Sequence, residues 1–253
     1  MYKVDRNELN FLFIDTELAL SLYYAYYSKK PQFLRASQIK ARKFMPCAAW
    51  QWRHLTAPES ACTLDNDKAF RKNYKNDYHV AKKLFQAMEQ ADVIIGHNLD
   101  GFDMKEINRA FILHGLGVLP EIKTIDTLKI ARKYFAFEGN SLRDLAALFE
   151  LKNKFEQPDW QAVAEGCPKA TRYAEKYCKQ DVKVLIAVFQ RLAPFIRRFP
   201  AVKENVRPTA CFCCGSKRLK NHGTRFDGAK FYVDIRCQEC HHPHKVSVKA
   251  AKK

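Results

Sequence analysis

The chain has 253 residues, of which 47% are hydrophobic and 28% charged, a composition that fits a folded globular protein and excludes a disordered one. No apolar run approaches the roughly 18 residues that a membrane span requires, and the N-terminus lacks the pattern of a signal peptide, so we expect a cytosolic protein without membrane contact. The formal net charge of +17 exceeds what solubility requires and indicates a polyanionic partner, most commonly nucleic acid.

The first predicted strand ends in two acids. Leu9 and the apolar residues 11–14 predict a strand buried on both faces, and Asp15 and Glu17 follow with one residue between them. Alternate residues of a strand share a face, so both carboxylates point to one place, where like charges need a cation to coexist. An isolated Asp-x-Glu is nevertheless more often a strand that enters a polar loop, so further acids are needed to favour a metal site.

Apolar periodicity predicts the next elements. The tyrosine-rich residues 18–27 predict an antiparallel neighbour of the first strand, and residues 44–55 predict a third strand on which Trp50 and Trp52 pack on one face. The remaining expectations are a helix over 79–90, a strand over 91–96, a helix over 103–114, a helix up to 132 capped by Asp126 or Thr127, a helix that begins at Ser141, a linker marked by Pro158 and Pro168, and a long helix over 169–191. Strands that alternate with helices predict an α/β fold.

Two further acids lie in distinctive contexts. Asn98-Leu-Asp-Gly-Phe-Asp103 directly follows a predicted buried strand, at a loop of the kind that carries sites in open α/β sheets. Tyr177 and Asp181 are four residues apart on the long helix and therefore share a face. Each pattern is weak alone, but the three in this order are much more specific.

The order Asp-x-Glu, Asn-x3-Phe-Asp, Tyr-x3-Asp resembles the DEDDy branch of the DEDD superfamily of 3′–5′ exonucleases, which have the RNase H-like, DnaQ-type fold. Residues 125–132 and 140–146 are similar to the stretch between the second and third motifs of family B DNA polymerase exonuclease domains. The resemblance covers about residues 9–195. It implies an RNase H-like mixed sheet flanked by helices. A free-standing exonuclease with a zinc module, which the cysteines after Pro208 indicate, looks most like those of bacteriophages.

The resemblance also implies roles for individual residues. It assigns Asp15, Glu17, Asp103 and Asp181 to two divalent ions and Tyr177 to the attacking water. The alternative branch has a histidine five residues before the last acid, where this chain has Lys176, and Tyr173 is a weaker stand-in for Tyr177. Asn98, Phe102 and Thr16 are the expected contacts of the terminal nucleotide, although Phe102 fits a core position equally well. Asp100 is expected to be solvated and Asp126 to cap a helix.

The residue types agree with phosphodiester hydrolysis. This reaction needs an activated water, neutralised charge on phosphorus and a stabilised leaving oxygen, which two metal ions about 3.5–4 Å apart supply. Mg²⁺ or Mn²⁺ prefers carboxylate and water ligands, so no histidine is required.

A cysteine-rich segment follows Pro208. Cys211 and Cys214 form one Cys-x2-Cys pair and Cys237 and Cys240 a second, a spacing typical of a zinc ribbon with one structural Zn²⁺. Gly215 suits the turn of the first pair, residues 231–236 predict part of a β-hairpin, and redox chemistry is a less favoured alternative. The remaining candidate ligands are Cys213, His241, His242 and His244.

We therefore expect two domains, a 3′–5′ exonuclease over residues 1–200 and a zinc ribbon over 207–248. Residues 201–253 hold 12 Lys and Arg against 4 Asp and Glu, so the ribbon is expected to grip phosphates or to dock a DNA polymerase or another replication protein. The expected substrate is a single-stranded or frayed DNA 3′ end in the cytoplasm, of the host if the protein is viral. The alternatives are an RNA or oligonucleotide exonuclease, a non-catalytic nucleic-acid-binding adaptor and a purely structural zinc protein, of which the last leaves the acids unexplained.

Overall fold

A computed structural model describes residues 10–24, 35–151, 156–196, 209–211, 214–226 and 231–247 of the chain. The strands of its larger part are β1 (Phe11–Glu17), β2 (Leu22–Tyr23), β3 (Ile39–Ala41), β4 (Cys47–Trp52), β5 (Glu59–Cys62), β6 (Val93–Gly96) and β7 (Lys123–Asp126). Its helices are α1 (Asp67–Lys72), α2 (Tyr78–Met88), α3 (Asp103–Leu113), α4 (Thr127–Tyr134), α5 (Leu142–Leu148), α6 (Trp160–Ala164) and α7 (Pro168–Leu192). Among the described residues, no helix is both long and apolar enough to cross a membrane.

The acidic strand β1 lies at the centre of a five-stranded mixed sheet with the order β5-β4-β1-β6-β7. It pairs antiparallel with β4 and parallel with β6, and β6 pairs parallel with β7. The carboxyl ends of these three parallel strands therefore lie at one edge of the sheet, where the loops that follow them meet. This architecture, a mixed sheet flanked by helices, is the predicted fold class.

Helices cover both faces of the sheet, and the side chains of β1 alternate between two apolar cores. Phe11 and Phe13 belong to the core that α4, α5, α6 and α7 complete, whereas Leu12 and Ile14 belong to the core under α2 and α3. The ring of Phe13 meets that of Phe189 on α7 edge to face, with 5.4 Å between the ring centroids. The same alternation directs the polar residues at the end of β1 toward α7 or toward α3.

Most of the predicted elements are confirmed. The helices predicted over 79–90, 103–114 and 169–191 correspond to α2, α3 and α7, and Trp50 and Trp52 are buried on β4. Ser141 caps α5 through its hydroxyl, which accepts a hydrogen bond from the backbone N–H of Asp144. Asp126 caps α4.

The prediction that residues 18–27 form the neighbour of β1 is wrong. Only Leu22 and Tyr23 form a strand among the described residues of that segment, and they pair with β3 in a separate two-stranded sheet. Tyr23 and Tyr24 are exposed, so they do not supply the apolar face that packing beside β1 requires; Tyr26 and Tyr27 lie outside the described residues. The linker marked by Pro158 and Pro168 also differs from the prediction, because it contains α6 and Pro168 is the first residue of α7.

A second, three-stranded sheet contains β8 (Leu219–Phe226), β9 (Phe231–Cys237) and β10 (Pro243–Ser247) in the order β10-β9-β8. Both pairings are antiparallel, in agreement with the hairpin that the sequence predicts. The Arg53 guanidinium donates to the carbonyl oxygen of Cys211, and the His242 ring lies with its Nδ1 3.0 Å from the carbonyl oxygen of Ala193. These contacts fix the small sheet to the larger part of the chain.

Candidate active site

Strand β1 and helix α7 bring three of the predicted acids together. Asp15 and Glu17 continue the side-chain series of Phe11 and Phe13, which faces α7. The negative charge of Asp181 on α7 contributes to the raised pKa of both acids, which places its carboxylate within electrostatic reach.

The fourth acid, Asp103, approaches from the opposite core. Thr16 continues the series of Leu12 and Ile14 toward α3, and its hydroxyl donates a 2.7 Å hydrogen bond to Oδ1 of Asp103, the first residue of that helix. Both side chains are buried. Thr16, predicted as a substrate contact, therefore holds Asp103 in place beside the end of β1.

The four carboxylates lie in an environment that disfavours their charged form. Burial, followed by the negative charges of Glu17, Asp103 and Asp181, raises the pKa of Asp15 well above its usual range. Burial and the charges of Asp181 and Asp103 raise the pKa of Glu17 to about 8. Burial also raises the pKa of Asp103 to about 6, against the opposing hydrogen bond from Thr16, and that of Asp181 to about 6. A bound cation relieves the repulsion between like charges held this close.

Tyr177 is held beside Asp181. It lies one turn earlier on α7, and its hydroxyl hydrogen-bonds the Asp181 carboxylate. The ring of Trp160 on α6 meets the Tyr177 ring edge to face, with 6.4 Å between the centroids. Burial, followed by the charges of Asp181 and Glu17, raises the pKa of Tyr177. Tyr173 instead donates a 3.1 Å hydrogen bond to the carbonyl oxygen of Glu156, so its hydroxyl has a structural partner outside this group.

The loop before Asp103 is organised by Asp126. One carboxylate oxygen of Asp126 accepts the backbone N–H of Asn98 at 3.0 Å and the other accepts that of Asp100 at 3.3 Å. Asn98 has a left-handed φ of 59°, and the absence of a side chain at Gly101 leaves room for the Asn98 side-chain oxygen, which would lie 2.4 Å from a Cβ there. The Asp126 carboxylate thus fixes the turn that delivers Asp103.

The same loop exposes the predicted nucleotide contacts. Asn98 is exposed, and Phe102 exposes 43% of its surface, which excludes the core alternative for this ring. Asp100 is not simply solvated, because its carboxylate pairs with Lys129 at 2.7 Å. Asn98 and Phe102 are therefore exposed in the loop before Asp103 and have the chemistry needed for a hydrogen bond and a stacking contact.

Cys178 is a member of this site that the sequence did not single out. Its thiol lies 3.4 Å from Oδ2 and 3.4 Å from the backbone oxygen of Asp15. The sulfur and the carboxylate oxygens of Asp15 and Glu17 lie within 4.8 Å of one another. Its position three residues before Asp181 on an amphipathic helix was the available signal, but a buried cysteine is usually an apolar core residue.

The raised acid pKa values predict how stability depends on pH. Between the usual carboxyl pKa and the raised pKa of about 8 for Glu17, the clustered carboxylates bind more protons in the folded chain than in the unfolded chain, so their contribution to stability falls as pH rises. The lowered pKa values of His97 and His242 oppose this trend, but four carboxylates outweigh two imidazoles. Without added Mg²⁺, we expect the melting temperature to fall by about 3–10 °C from about pH 5 to about pH 8.

Added Mg²⁺ is expected to reverse this trend, with the largest gain at the alkaline end, because the carboxylates are ionised there. The Asp181→Asn variant, which carries one charge less in the cluster, is the control and should show a shallower slope. A melting temperature that rises with pH in the Mg²⁺-free wild type would contradict this description of the site.

The four predicted zinc ligands also come together. The Sγ atoms of Cys211 and Cys240 are 3.5 Å apart, as are those of Cys214 and Cys237, and all four lie within 4.8 Å of one another. Four Zn–S bonds of about 2.3 Å in a tetrahedron place sulfurs about 3.8 Å apart, so the cluster is compatible with zinc. No histidine joins this cluster among the described residues; Cys213 lies outside them.

The two cysteine pairs have equivalent backbones. Gly215 N–H donates to the Cys211 carbonyl at 2.9 Å, and His241 N–H donates to the Cys237 carbonyl at 3.1 Å. Both residues have a left-handed φ, of 78° and 59° respectively. His241 therefore occupies in the second knuckle the position that Gly215 occupies in the first.

This equivalence predicts opposite effects for two substitutions. Gly215→Ala is expected to lower the stability of the ribbon by about 1–2 kcal/mol, because alanine resists a left-handed backbone. His241→Gly is expected to be neutral or to stabilise by up to about 1 kcal/mol, since glycine removes that strain. Thermal unfolding of the zinc-loaded variants measures both, and a destabilising His241→Gly would argue against equivalent knuckles.

Sequence comparison connects the central part of the chain to a nuclease family. The model of the RNase_T family, described as exonuclease, matches residues 56–156. The matched segment includes Asp103 and Asp126 but neither Asp15 nor Asp181. No curated protein sequence matches the chain.

Comparison with solved structures concerns the fold. The chain is similar to the family B DNA polymerase from the hyperthermophilic archaeon Pyrobaculum calidifontis, with a TM-score of 0.54 and 18% sequence identity. The similarity covers 74% of this chain and 25% of the polymerase chain, so the chain spans about a quarter of the length of that protein. At this identity the likeness shows a shared fold alone.

Proposed function

We propose that the chain is a metal-dependent 3′–5′ exonuclease that removes nucleotides from single-stranded or frayed DNA ends. The observation that carries the proposal is the convergence of Asp15, Glu17, Asp103 and Asp181 from β1, α3 and α7 at one edge of the sheet, with pKa values raised by burial and mutual repulsion. The exonuclease family match and the polymerase-like fold support the same class.

The four carboxylates are the proposed ligands of two Mg²⁺ or Mn²⁺ ions. Such ions, when bound, neutralise charge on the scissile phosphate, activate water and stabilise the leaving 3′ oxygen. The protein contributes the positions of the oxygens. Asp15 and Glu17 are fixed by the paired strand β1, whereas Asp103 is fixed by Thr16 and by the turn that Asp126 holds.

Tyr177 and the exposed loop residues complete the proposed site. A tyrosine is neutral at pH 7, so the hydroxyl of Tyr177 positions the attacking water by hydrogen bonding, as in the DEDDy branch. Asn98 and Phe102 hold the terminal nucleotide by a hydrogen bond and by base stacking.

The proposal divides the chain into an exonuclease domain over 1–200 and a zinc-ribbon domain over 207–248, whose Cys211, Cys214, Cys237 and Cys240 bind one structural Zn²⁺. A role in DNA replication, together with a polymerase or another replication protein and in a bacteriophage, rests on the sequence resemblance alone.

The direction of digestion tests the proposal. Two single-stranded DNAs of the same sequence, one with an ordinary 3′ hydroxyl end and one with a terminal nucleotide inverted by a 3′–3′ linkage, are incubated with the protein and Mg²⁺. We expect mononucleotides from the first strand and none from the second. A protein that leaves both strands intact with Mg²⁺ and with Mn²⁺ while binding them would instead be the non-catalytic adaptor.

The metal site does not read the 2′-hydroxyl, so its residues do not choose between DNA and RNA. A matched RNA strand in the same assay makes that comparison directly. Faster digestion of the RNA would replace DNA by RNA in the proposal and leave the exonuclease reaction unchanged.

A further inference from the structure

One face of the small sheet gathers basic side chains. Arg225 on β8 is paired in register with Tyr232 on β9, and Lys220 is paired with Arg236. Alternate residues of a strand share a face, so Tyr232, Asp234 and Arg236 lie on one face of β9. Their register partners Arg225 and Lys220 on β8 lie on the same face. Gly223, with a φ of 94°, lies within the irregularity between Asn221 and Thr224 that brings Lys220 and Arg225 onto the same face.

Asp234 fixes the two arginines of this face. Its carboxylate is buried, and a single oxygen accepts Nε of Arg225 at 2.9 Å and lies 3.4 Å from Nη2 of Arg236. One negative charge thus holds two positive ones. The Arg225 side chain still exposes 56% of its surface, so guanidinium donors remain turned to solvent in a fixed orientation.

The opposite face of the sheet points inward. Cys237 and Cys211 belong to the same buried cluster as Phe13 and Leu185, and Leu219 packs against that cluster. The contacts of Arg53 with Cys211 and of His242 with Ala193 hold this side against the larger part of the chain. The basic face is therefore the outer one.

Aromatic rings accompany the positive charges. Tyr232 lies on the basic face. Phe226 and Phe231 are the next register pair and therefore lie on the other face at the end of the hairpin, with centroids 5.0 Å apart. These two rings expose 57% and 62% of their surface. Fixed guanidiniums beside the Tyr232 ring suit phosphates linked to bases, whereas an acidic protein surface would not use the ring for stacking.

We propose that the outer face of this sheet, formed by Lys220, Arg225, Arg236 and Tyr232, binds the phosphate backbone of single-stranded DNA, with the Tyr232 ring stacking on a base. The inference deepens the proposed function, on which it rests, by assigning a substrate-binding surface outside the four-carboxylate site. Of the two roles expected for the basic ribbon, gripping phosphates and docking a replication protein, it assigns the first.

Binding is tested in the full zinc-loaded chain, without added Mg²⁺, Mn²⁺ or chelator, carrying Asp103→Asn so that the strand is not cut. The probe is a fluorescent single-stranded oligothymidylate, and its anisotropy is measured over a range of salt concentrations. The test variant is Lys220→Ala with Arg225→Ala, which leaves Arg236 on the buried Asp234. The control is Arg71→Ala with Lys72→Ala, which removes the same charge from the exposed end of α1.

We expect the test variant to bind about tenfold more weakly and its salt dependence to fall by about 1.4 in log–log slope, the value for two single-strand phosphate contacts. The control should stay within about twofold of the parent. Unchanged affinity and slope in the test variant would overturn the inference and favour an acidic protein as the partner of this face.

Zinc content and thermal unfolding check the fold of the variant. If the double variant loses zinc, the single variant Lys220→Ala is used instead, because the Lys220 side chain is exposed. Binding that is about threefold weaker supports the inference, and unchanged binding overturns it. Cleavage of a trinucleotide by chains with Asp103 intact separates the two proposals. Binding through this face without any cleavage defeats only the proposed function, whereas cleavage with unchanged binding defeats only this inference.

Discussion

Asp103→Asn is expected to reduce exonuclease turnover by about 100-fold to 1,000-fold. Substitution of a residue that only supports a metal ligand typically costs about tenfold to hundredfold. The substitution keeps the size of the side chain and the oxygen that accepts the Thr16 hydroxyl, so the turn before α3 should remain in place. What it removes is one negative charge of the proposed cation site.

The same substitution should stabilise the protein when Mg²⁺ is absent. Burial raises the pKa of Asp103 to about 6, so at neutral pH the folded chain carries an unfavourable charge that asparagine lacks. We expect the melting temperature to rise by about 2–4 °C for each kcal/mol relieved. Loss of activity together with a gain in stability would distinguish a missing metal ligand from misfolding.

Asp100→Asn is the matched control, because Asp100 lies in the same loop and its carboxylate pairs with Lys129. Its turnover should change less than about threefold, as expected for an exposed ion pair. Equal losses in the two variants would mean that the loop needs acidity in general and that Asp103 has no special place.

Cys240→Ser is expected to remove the proposed structural zinc and to unfold the ribbon. Structural zinc sites contribute about 10–16 kcal/mol of apparent binding free energy, far more than a sheet of this size obtains from its own core. Zinc content measured after dialysis should fall from about one ion per chain to near zero.

Cys167→Ser provides the control for this prediction. Cys167 lies at the start of α7, outside the four-sulfur cluster, so the variant should keep its zinc. Retention of a full zinc complement by Cys240→Ser would mean that another side chain replaces the missing ligand.

The sequence predicted the elements that carry strong periodicity. Buried strand β1 and the amphipathic helices α2, α3 and α7 follow from apolar spacing, and the ends at Asp126 and Ser141 follow from capping chemistry. The tyrosines of residues 18–27 led to the wrong prediction of a strand beside β1, because a β-favouring composition does not reveal whether a face is buried. Tyr23 and Tyr24 are exposed.

Local patterns reach only part of the candidate site. Asp15 with Glu17, and Tyr177 with Asp181, are pairs whose common face can be read from a single element. The contact of Thr16 with Asp103 joins residues 87 positions apart, and Cys178 reaches Asp15 across 163 positions. Such contacts depend on how α3 and α7 pack on the two faces of the sheet, which no spacing rule specifies.

The dual role of Asp126 illustrates the same limit. Its place as an N-cap is visible in the sequence, because the residues that follow have helical spacing. Its hydrogen bonds to the N–H groups of Asn98 and Asp100 depend on β7 lying beside β6 in the sheet. The cap therefore also orders the loop that leads to the fourth acid.

Digestion of a 5′-labelled single-stranded DNA tests the central claim most directly. With Mg²⁺ or Mn²⁺ the wild-type chain should produce a ladder that shortens from the 3′ end, and the Asp15→Ala/Asp181→Ala variant should leave the strand intact. A strand that stays intact with both metals, or a ladder that survives in the variant, would contradict the assignment of these carboxylates to an exonuclease site.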